Sequence, residues 1–215
     1  MKALDLYCCG GGASRGLYQA GFTVTGVDIE AQKKYPYDFI QSDVLELSIE
    51  FLRQFDFIWA SPPCQEYTKA GTQWRRAGKE YPDLIAATRE MLIETGVPYV
   101  IENVPDSPLI EPVLLCGTMF GLRTYRHRLF ESSFEIEQPV HPPHVAKNTK
   151  MGRPPKDGEF LQIVGHFSGV PLAREIMGLP GLNQYELAQA IPPAYSKYIA
   201  EQFLKSLQIE QLTLF

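Results

Sequence analysis

The sequence predicts an α/β fold, a mostly parallel central sheet flanked by helices. Three observations point there. Short apolar runs alternate with segments of helical periodicity through the first half of the chain. A glycine cluster turns the first run into the first helix. The second and third runs then end in acidic residues, as at the carboxyl edge of a nucleotide-binding sheet.

Taken in order, Ala3 to Cys8 reads as the first strand. Gly10-Gly11-Gly12 makes a tight turn, and Ser14 is expected to cap a helix that ends at Gly21. Thr23 to Ile29 is a second strand, closing on Asp28 and Glu30; Phe39-Ile40 leads a third into Ser42-Asp43-Val44. A fourth, Phe55 to Ala60, runs into Ser61-Pro62-Pro63-Cys64-Gln65, where two prolines fix φ and remove donors, so the turn is stiff. Pro82 to Thr95 has helical spacing and stops at Gly96. Val97 to Ile101 is the next strand and ends in Glu102-Asn103-Val104. Thr124 to Arg128 reads as a strand with Arg126 and Arg128 on one face. Prolines then punctuate a polar, basic stretch, read as an ordered loop or small insert. Leu172 to Met177 and Pro193 to Leu207 are helical, the latter with Tyr195, Ile199 and Phe203 on one face. The expected organisation is a core at 1–133, an insert at 134–170, a segment at 171–207 packing back on the core, and a tail at 208–215.

The 215 residues fit one domain, and a hydrophobic content of 45% supplies a core. No apolar run reaches membrane-spanning length and the chain opens straight into a strand, so a cytoplasmic protein is expected. Cys8, Cys9, Cys64 and Cys116 show no Cys-x-x-Cys spacing, which argues against a disulfide framework and against zinc. His141 and His144 form a possible ligand pair, but no third ligand stands at a sensible spacing. They are read as an exposed turn, and no metal is expected. The net charge of −5 disfavours general affinity for phosphate backbones. Two basic segments offset it locally, Lys69, Arg75, Arg76 and Lys79 after Cys64, and Lys147, Lys150, Arg153 and Lys156 in the insert.

A cysteine at one strand end and a carboxylate at the next suit covalent attack on a pyrimidine, the thiolate adding to carbon 6 while the carboxyl group holds the ring nitrogen. With Pro63-Cys64, Glu102-Asn103-Val104, the loop Asp5 to Gly12 and Thr124-Tyr125-Arg126-His127-Arg128, the chain resembles the cytosine-C5 DNA methyltransferases of bacterial and phage type. That resemblance spans residues 3 to about 204. It implies a Rossmann-like, S-adenosylmethionine-dependent methyltransferase fold, with S-adenosylhomocysteine as product. It implies Cys64 as nucleophile and Glu102 at ring nitrogen 3. Arg128 would bind the base oxygen and Arg126 would orient Cys64 or the backbone. It further implies a cofactor site of Tyr7, Cys9, Gly10, Gly12, Asp28, Ile29, Asp43, Val44 and Pro62. Asn103 would tie down the Cys64 turn, and the cytosine would flip out of the DNA duplex to reach the site.

Three positions depart from the family pattern: Cys9 replaces a usual Gly, Thr124 a usual Gln, and Gln189-Ala190 a usual Gly-Asn. The sizeable target-recognition domain of the family is reduced to Phe134 to Val170. A very short recognition sequence, a specificity partner or a smaller substrate would each fit that reduction. Single-stranded DNA, RNA or a free deoxycytidine nucleotide therefore stay open as substrates, as does a catalytically silent DNA- or clamp-binding homologue. The last five residues, Gln211 to Phe215, resemble the peptide that docks replication proteins on a sliding clamp. Restriction, self-protection and regulation remain open as purposes.

Overall fold

The structure, a computed structural model, describes residues 1–68, 71–150 and 152–213; the side chains of 73, 74 and 210–213 are left aside. Its seven strands are β1 (Lys2–Leu6), β2 (Thr23–Asp28), β3 (Asp38–Gln41), β4 (Phe57–Ala60), β5 (Tyr99–Asn103), β6 (Val113–Leu115) and β7 (Arg128–Ser132). They form one sheet in the order β3-β2-β1-β4-β5-β7-β6. The first five are parallel, β7 runs antiparallel to β5, and β6 antiparallel to β7. The helices are α1 (Gly12–Gln19), α2 (Ile49–Leu52), α3 (Thr72–Arg76), α4 (Ile85–Thr95), α5 (Val170–Met177), α6 (Gln184–Gln189) and α7 (Pro193–Thr213).

Every residue of β4 and of β5 is buried, which is why these strands read as continuous apolar runs. The two-residue side-chain period sorts them between two cores. Ala3, Phe57 and Trp59 pack on one face with Leu17, Tyr195, Ile199 and Phe203. Leu4, Leu6, Ile58, Ala60 and Ile101 pack on the other with Leu52 and Leu92. Helices α1 and α7 therefore cover one face and α2 and α4 the other. Gly16 lets α1 and α7 meet backbone to backbone, because a Cβ there would overlap Ser196 Oγ and the Pro193 carbonyl. The Ser196 hydroxyl donates to Ala13 O at 2.8 Å across that contact. Among the described residues no helix is long and apolar enough to cross a membrane.

Several expectations are corrected. Ser14 does not cap α1: the cap is Gly11 at φ 81, and Ser14 is buried one turn in, its hydroxyl turned to Asp5. The strand expected over 124–128 starts where that segment ends, at Arg128. Helices α2, α3 and α6 and strand β6 went unread, each being six residues or fewer. The insert is, as expected, ordered loop up to Val170 in its described residues, and its Leu161, Ile163 and Phe167 join Ala173, Met177 and Leu187 in a third apolar cluster that anchors α5 and α6. The terminal helix does not stop near Leu207. No Gly or Pro follows, and its backbone stays helical to Thr213. The tail peptide 211–215 thus begins within α7, while Leu214, Phe215 and the side chains of 211–213 lie outside the described residues.

Candidate active site

Five connections leave the carboxyl ends of parallel strands along one edge of the sheet. The strand order reverses between β1 and β4, and a crevice opens at such a point. Here it is a cavity of about 510 Å³, lined by Tyr7, Cys9, Gly10 and Gly12 from the first turn, Asp28 and Ile29 from the second, and Asp43 and Val44 from the third. Pro62 and Cys64 from the fourth and Glu102 near the end of β5 complete it. All nine residues expected to hold a cofactor share one space with the expected nucleophile and carboxyl group.

The first turn is held in an unusual conformation. Tyr7 at φ 60 and Cys9 at φ 44 occupy the left-handed region, which explains why glycine suits the position of Cys9. Asp28 fixes it: Cys9 N donates to Oδ2 and Glu30 N to Oδ1, both at 2.9 Å. The Tyr7 hydroxyl bonds Thr88 Oγ1 of α4 at 2.8 Å. Asp43 caps the short turn Val44–Glu46, accepting from Leu45 N at 3.0 Å.

Beneath this turn lies a polar group that sequence reading passed over. Asp5 is 1% exposed, and burial pushes its carboxyl up to about 7. Oδ2 accepts from the Ser14 hydroxyl, which in turn bonds the Tyr35 hydroxyl at 2.5 Å, while Oδ1 is buried without a partner. Tyr35, from the loop before β3, left no sequence signal. Glu186, which also lines the cavity, was legible in principle: Asn183 and Glu186 form a capping box at the start of α6.

The Cys64 turn is tied from several sides. Asn103 Nδ2 donates to Pro62 O at 3.0 Å, the tie that was expected, and Tyr67 N and Thr68 N return to Cys64 O at 3.0 and 2.9 Å. Arg75 Nη1 donates to Gln65 O at 2.5 Å and Thr68 O at 3.1 Å, so one arginine expected to meet phosphate serves the loop instead. Lys69 and the Trp74 side chain lie outside the described residues. Burial raises the half-buried Cys64 thiol, Arg128 opposing and Glu102 reinforcing the rise. Burial also raises Glu102, against the pull of Arg128, whose Nε stands 2.9 Å from Oε1.

The two arginines part company. Arg128 opens β7 beside Glu102, but Arg126 precedes the strand with φ 28, so they do not alternate on one face. Both line a second cavity, of about 320 Å³, beside the first. Arg126 donates to the carbonyls of Ile163, Ala188 and Ala190, and burial lowers it to about 9. It staples chain segments through their backbone, the second of the two roles expected of it, and its charge also lowers the Cys64 thiol against the effect of burial. Arg153 of the insert is likewise engaged, forking onto Glu159 at 2.6 and 2.8 Å.

Residues 1–106, almost half of the chain, match the family described as C-5 cytosine-specific DNA methylase. Over those residues the chain is similar to that family. The methylase also resembles solved structures along its whole length. A protein described as a DNA modification methyltransferase encoded within an E. coli prophage aligns at TM-score 0.67 and 14% identity, over 97% of this chain and 99% of that one. The Entamoeba histolytica methyltransferase EhMeth aligns at 0.61 and 13%, over 96% and 98%. The S. pombe Dnmt2 methyltransferase aligns at 0.56 and 15%, over 99% of both chains. No curated protein sequence matches. The enzyme is thus a DNA cytosine-C5 methyltransferase, in a family that uses S-adenosylmethionine.

Two of its three departures from the family pattern are accommodated locally. Cys9 tolerates the left-handed turn, its amide held by Asp28. At Gln189-Ala190 the backbone carbonyl matters to Arg126, and a carbonyl is common to every residue. His141 and His144 do not stand apart as an exposed turn: among the described residues His127 and Cys116, from distant sequence positions, are brought beside them.

Proposed function

We propose that the methylase acts through a covalent bond between Cys64 and carbon 6 of a flipped cytosine. What supports it most is the shared cavity, which puts thiol, carboxyl group and glycine-loop cradle around one space. Its volume lies in the range of small-molecule sites, about 300–1,000 Å³. The donor set also suits S-adenosylmethionine. Asp28 offers carboxylate oxygens to ribose hydroxyls, Asp43 one to an adenine amino group, and Ile29 and Val44 apolar surface to the purine. Tyr7, Cys9, Gly10, Gly12 and Pro62 would border the rest. When bound, S-adenosylmethionine supplies an electrophilic methyl group on a sulfonium that leaves as a neutral thioether.

The chain's own groups do the remaining work. Cys64 gives its proton to solvent and its thiolate bonds carbon 6, so the ring's electron density shifts toward carbon 5 and nitrogen 3. Glu102, charged beside Arg128 in the free enzyme but raised by burial, takes up a proton from solvent as the base binds, donates it to nitrogen 3 and stabilises that density. Arg128 holds Glu102 in place and presents its guanidinium to the base oxygen. After methylation water takes the proton from carbon 5, the carbon–sulfur bond breaks to return the thiolate, and nitrogen 3 gives its proton back to Glu102.

DNA containing 5-fluorocytosine tests this, because fluorine cannot leave carbon 5 as a proton does. Wild-type enzyme with S-adenosylmethionine should form a denaturation-resistant adduct that maps to Cys64 and vanishes in Cys64→Ser. Methyl transfer without any such adduct would overturn the covalent route.

A short recognition sequence belongs to the same proposal. Much of 134–170 is committed to folding, through Leu161, Ile163, Phe167 and the Arg153–Glu159 fork. Among the described residues that leaves Lys147 and Lys150 to meet phosphates. Mapping methylated cytosines in random duplex, single strand and nucleotide should return a site of very few bases; a long strict site would refute it. The clamp role of 211–215 is proposed on sequence alone, and unchanged clamp binding after its deletion would end it.

A further inference from the structure

Four metal-binding side chains converge outside the cofactor cavity: Cys116, His127, His141 and His144, whose ligand atoms all lie within 4.8 Å of one another. Cys116 directly follows β6, His127 directly precedes β7, and the other two flank Pro142-Pro143 in the insert. His144 Nε2 is 3.1 Å from His141 Nε2 and 3.4 Å from Cys116 Sγ, and His127 Nε2 is 3.4 Å from His141 Nε2. A tetrahedral zinc ion, with nitrogen at about 2.0–2.1 Å and sulfur at about 2.3 Å, needs N···N near 3.3 Å and N···S near 3.6 Å. Three edges of the cluster therefore already have the lengths that such an ion imposes.

Hydrogen bonding among the four groups is a poor alternative account. His141 Nε2 faces two other ring nitrogens, yet one ring nitrogen carries either a single N–H or a single lone pair and cannot serve both with good geometry. A cation at the centre would satisfy all three.

We propose that Cys116, His127, His141 and His144 form a four-ligand site for a divalent transition metal of the zinc type. One thiolate and three imidazoles select against magnesium and calcium, which take oxygen ligands. Four protein ligands complete a tetrahedron, so the role is structural. Supporting groups are in place: Thr118 Oγ1 lies 3.1 Å from Cys116 Sγ, and the Tyr125 ring stacks on His144 with centroids 3.6 Å apart. Arg128 Nη1 donates to the His127 carbonyl at 2.8 Å. The ion would clasp the proline-rich insert to the strand that carries the partner of Glu102.

Metal analysis of untagged protein from zinc-supplemented medium is the direct test. Wild type should hold about one zinc per chain, and His141→Ala/His144→Ala should lose at least about 10-fold of that content. Cobalt(II) loaded after chelation should give a thiolate-to-metal charge-transfer band, absent in Cys116→Ser. This second readout decides the matter should the double variant fail to fold. Wild-type protein that retains no zinc and shows no such cobalt band would overturn the site, as would a folded double variant with its full metal content.

Discussion

Glu102 and Arg128 form one ion pair at the sheet edge, 2.9 Å apart, with side chains only 9% and 13% exposed. Strand register makes the pair: Glu102 lies opposite Phe130, so Arg128 sits diagonally across, two residues away on the same face. Removing one member strands the other's charge. Arg128→Ala is expected to cost about 3 kcal/mol of stability and to lower kcat by about 100-fold or more, with Arg128→Lys recovering part of both. Urea denaturation and methyl-transfer rates measure the two effects.

Cys64 carries a thiol raised by burial, so its thiolate fraction near neutral pH falls below that of an ordinary cysteine. Its alkylation by iodoacetamide in the free enzyme should climb with pH beyond the range where a model thiol levels off. Peptide mass spectrometry follows it residue by residue. In Glu102→Gln, which removes a negative neighbour, the rise should move to lower pH.

Asp5 titrates near 7 when folded against 3.8 when exposed. A carboxyl group raised in this way favours folding while protonated. Its contribution is complete below about 3.8 and is lost as pH rises through about 7, a change on the order of a few kcal/mol. Wild-type Tm should therefore drop more between pH 5 and 8 than that of Asp5→Asn. Parallel curves for the two proteins would contradict the shift.

Gly16 should resist even a methyl group. Gly16→Ala drives a Cβ into Ser196 Oγ and the Pro193 carbonyl, and the carbonyl cannot rotate away. A loss of about 2–4 kcal/mol in chemical denaturation is expected from parting α1 and α7.

Arg126 is expected to behave as a structural residue. Arg126→Lys keeps the charge but cannot span the carbonyls of Ile163, Ala188 and Ala190, so Tm should fall sharply. Cys64 alkylation kinetics in whatever protein stays folded should change little.

The sequence alone determined the order of the main strands, the cofactor turn, the Cys64 turn and the Glu102 strand end. Each of those is written locally, in apolar runs, prolines, glycines and acids at fixed offsets, and parallel topology then places every such turn at one edge. Tertiary structure decided what depends on partners far along the chain. It paired Arg128 with Glu102 and turned Arg126 to the backbone before α7. It also buried Asp5 under Ser14 and Tyr35, and gathered Cys116 and His127 around two histidines read as an exposed turn. Spacing in sequence carries no trace of such meetings, because the sheet sets their distances and the residues between them do not.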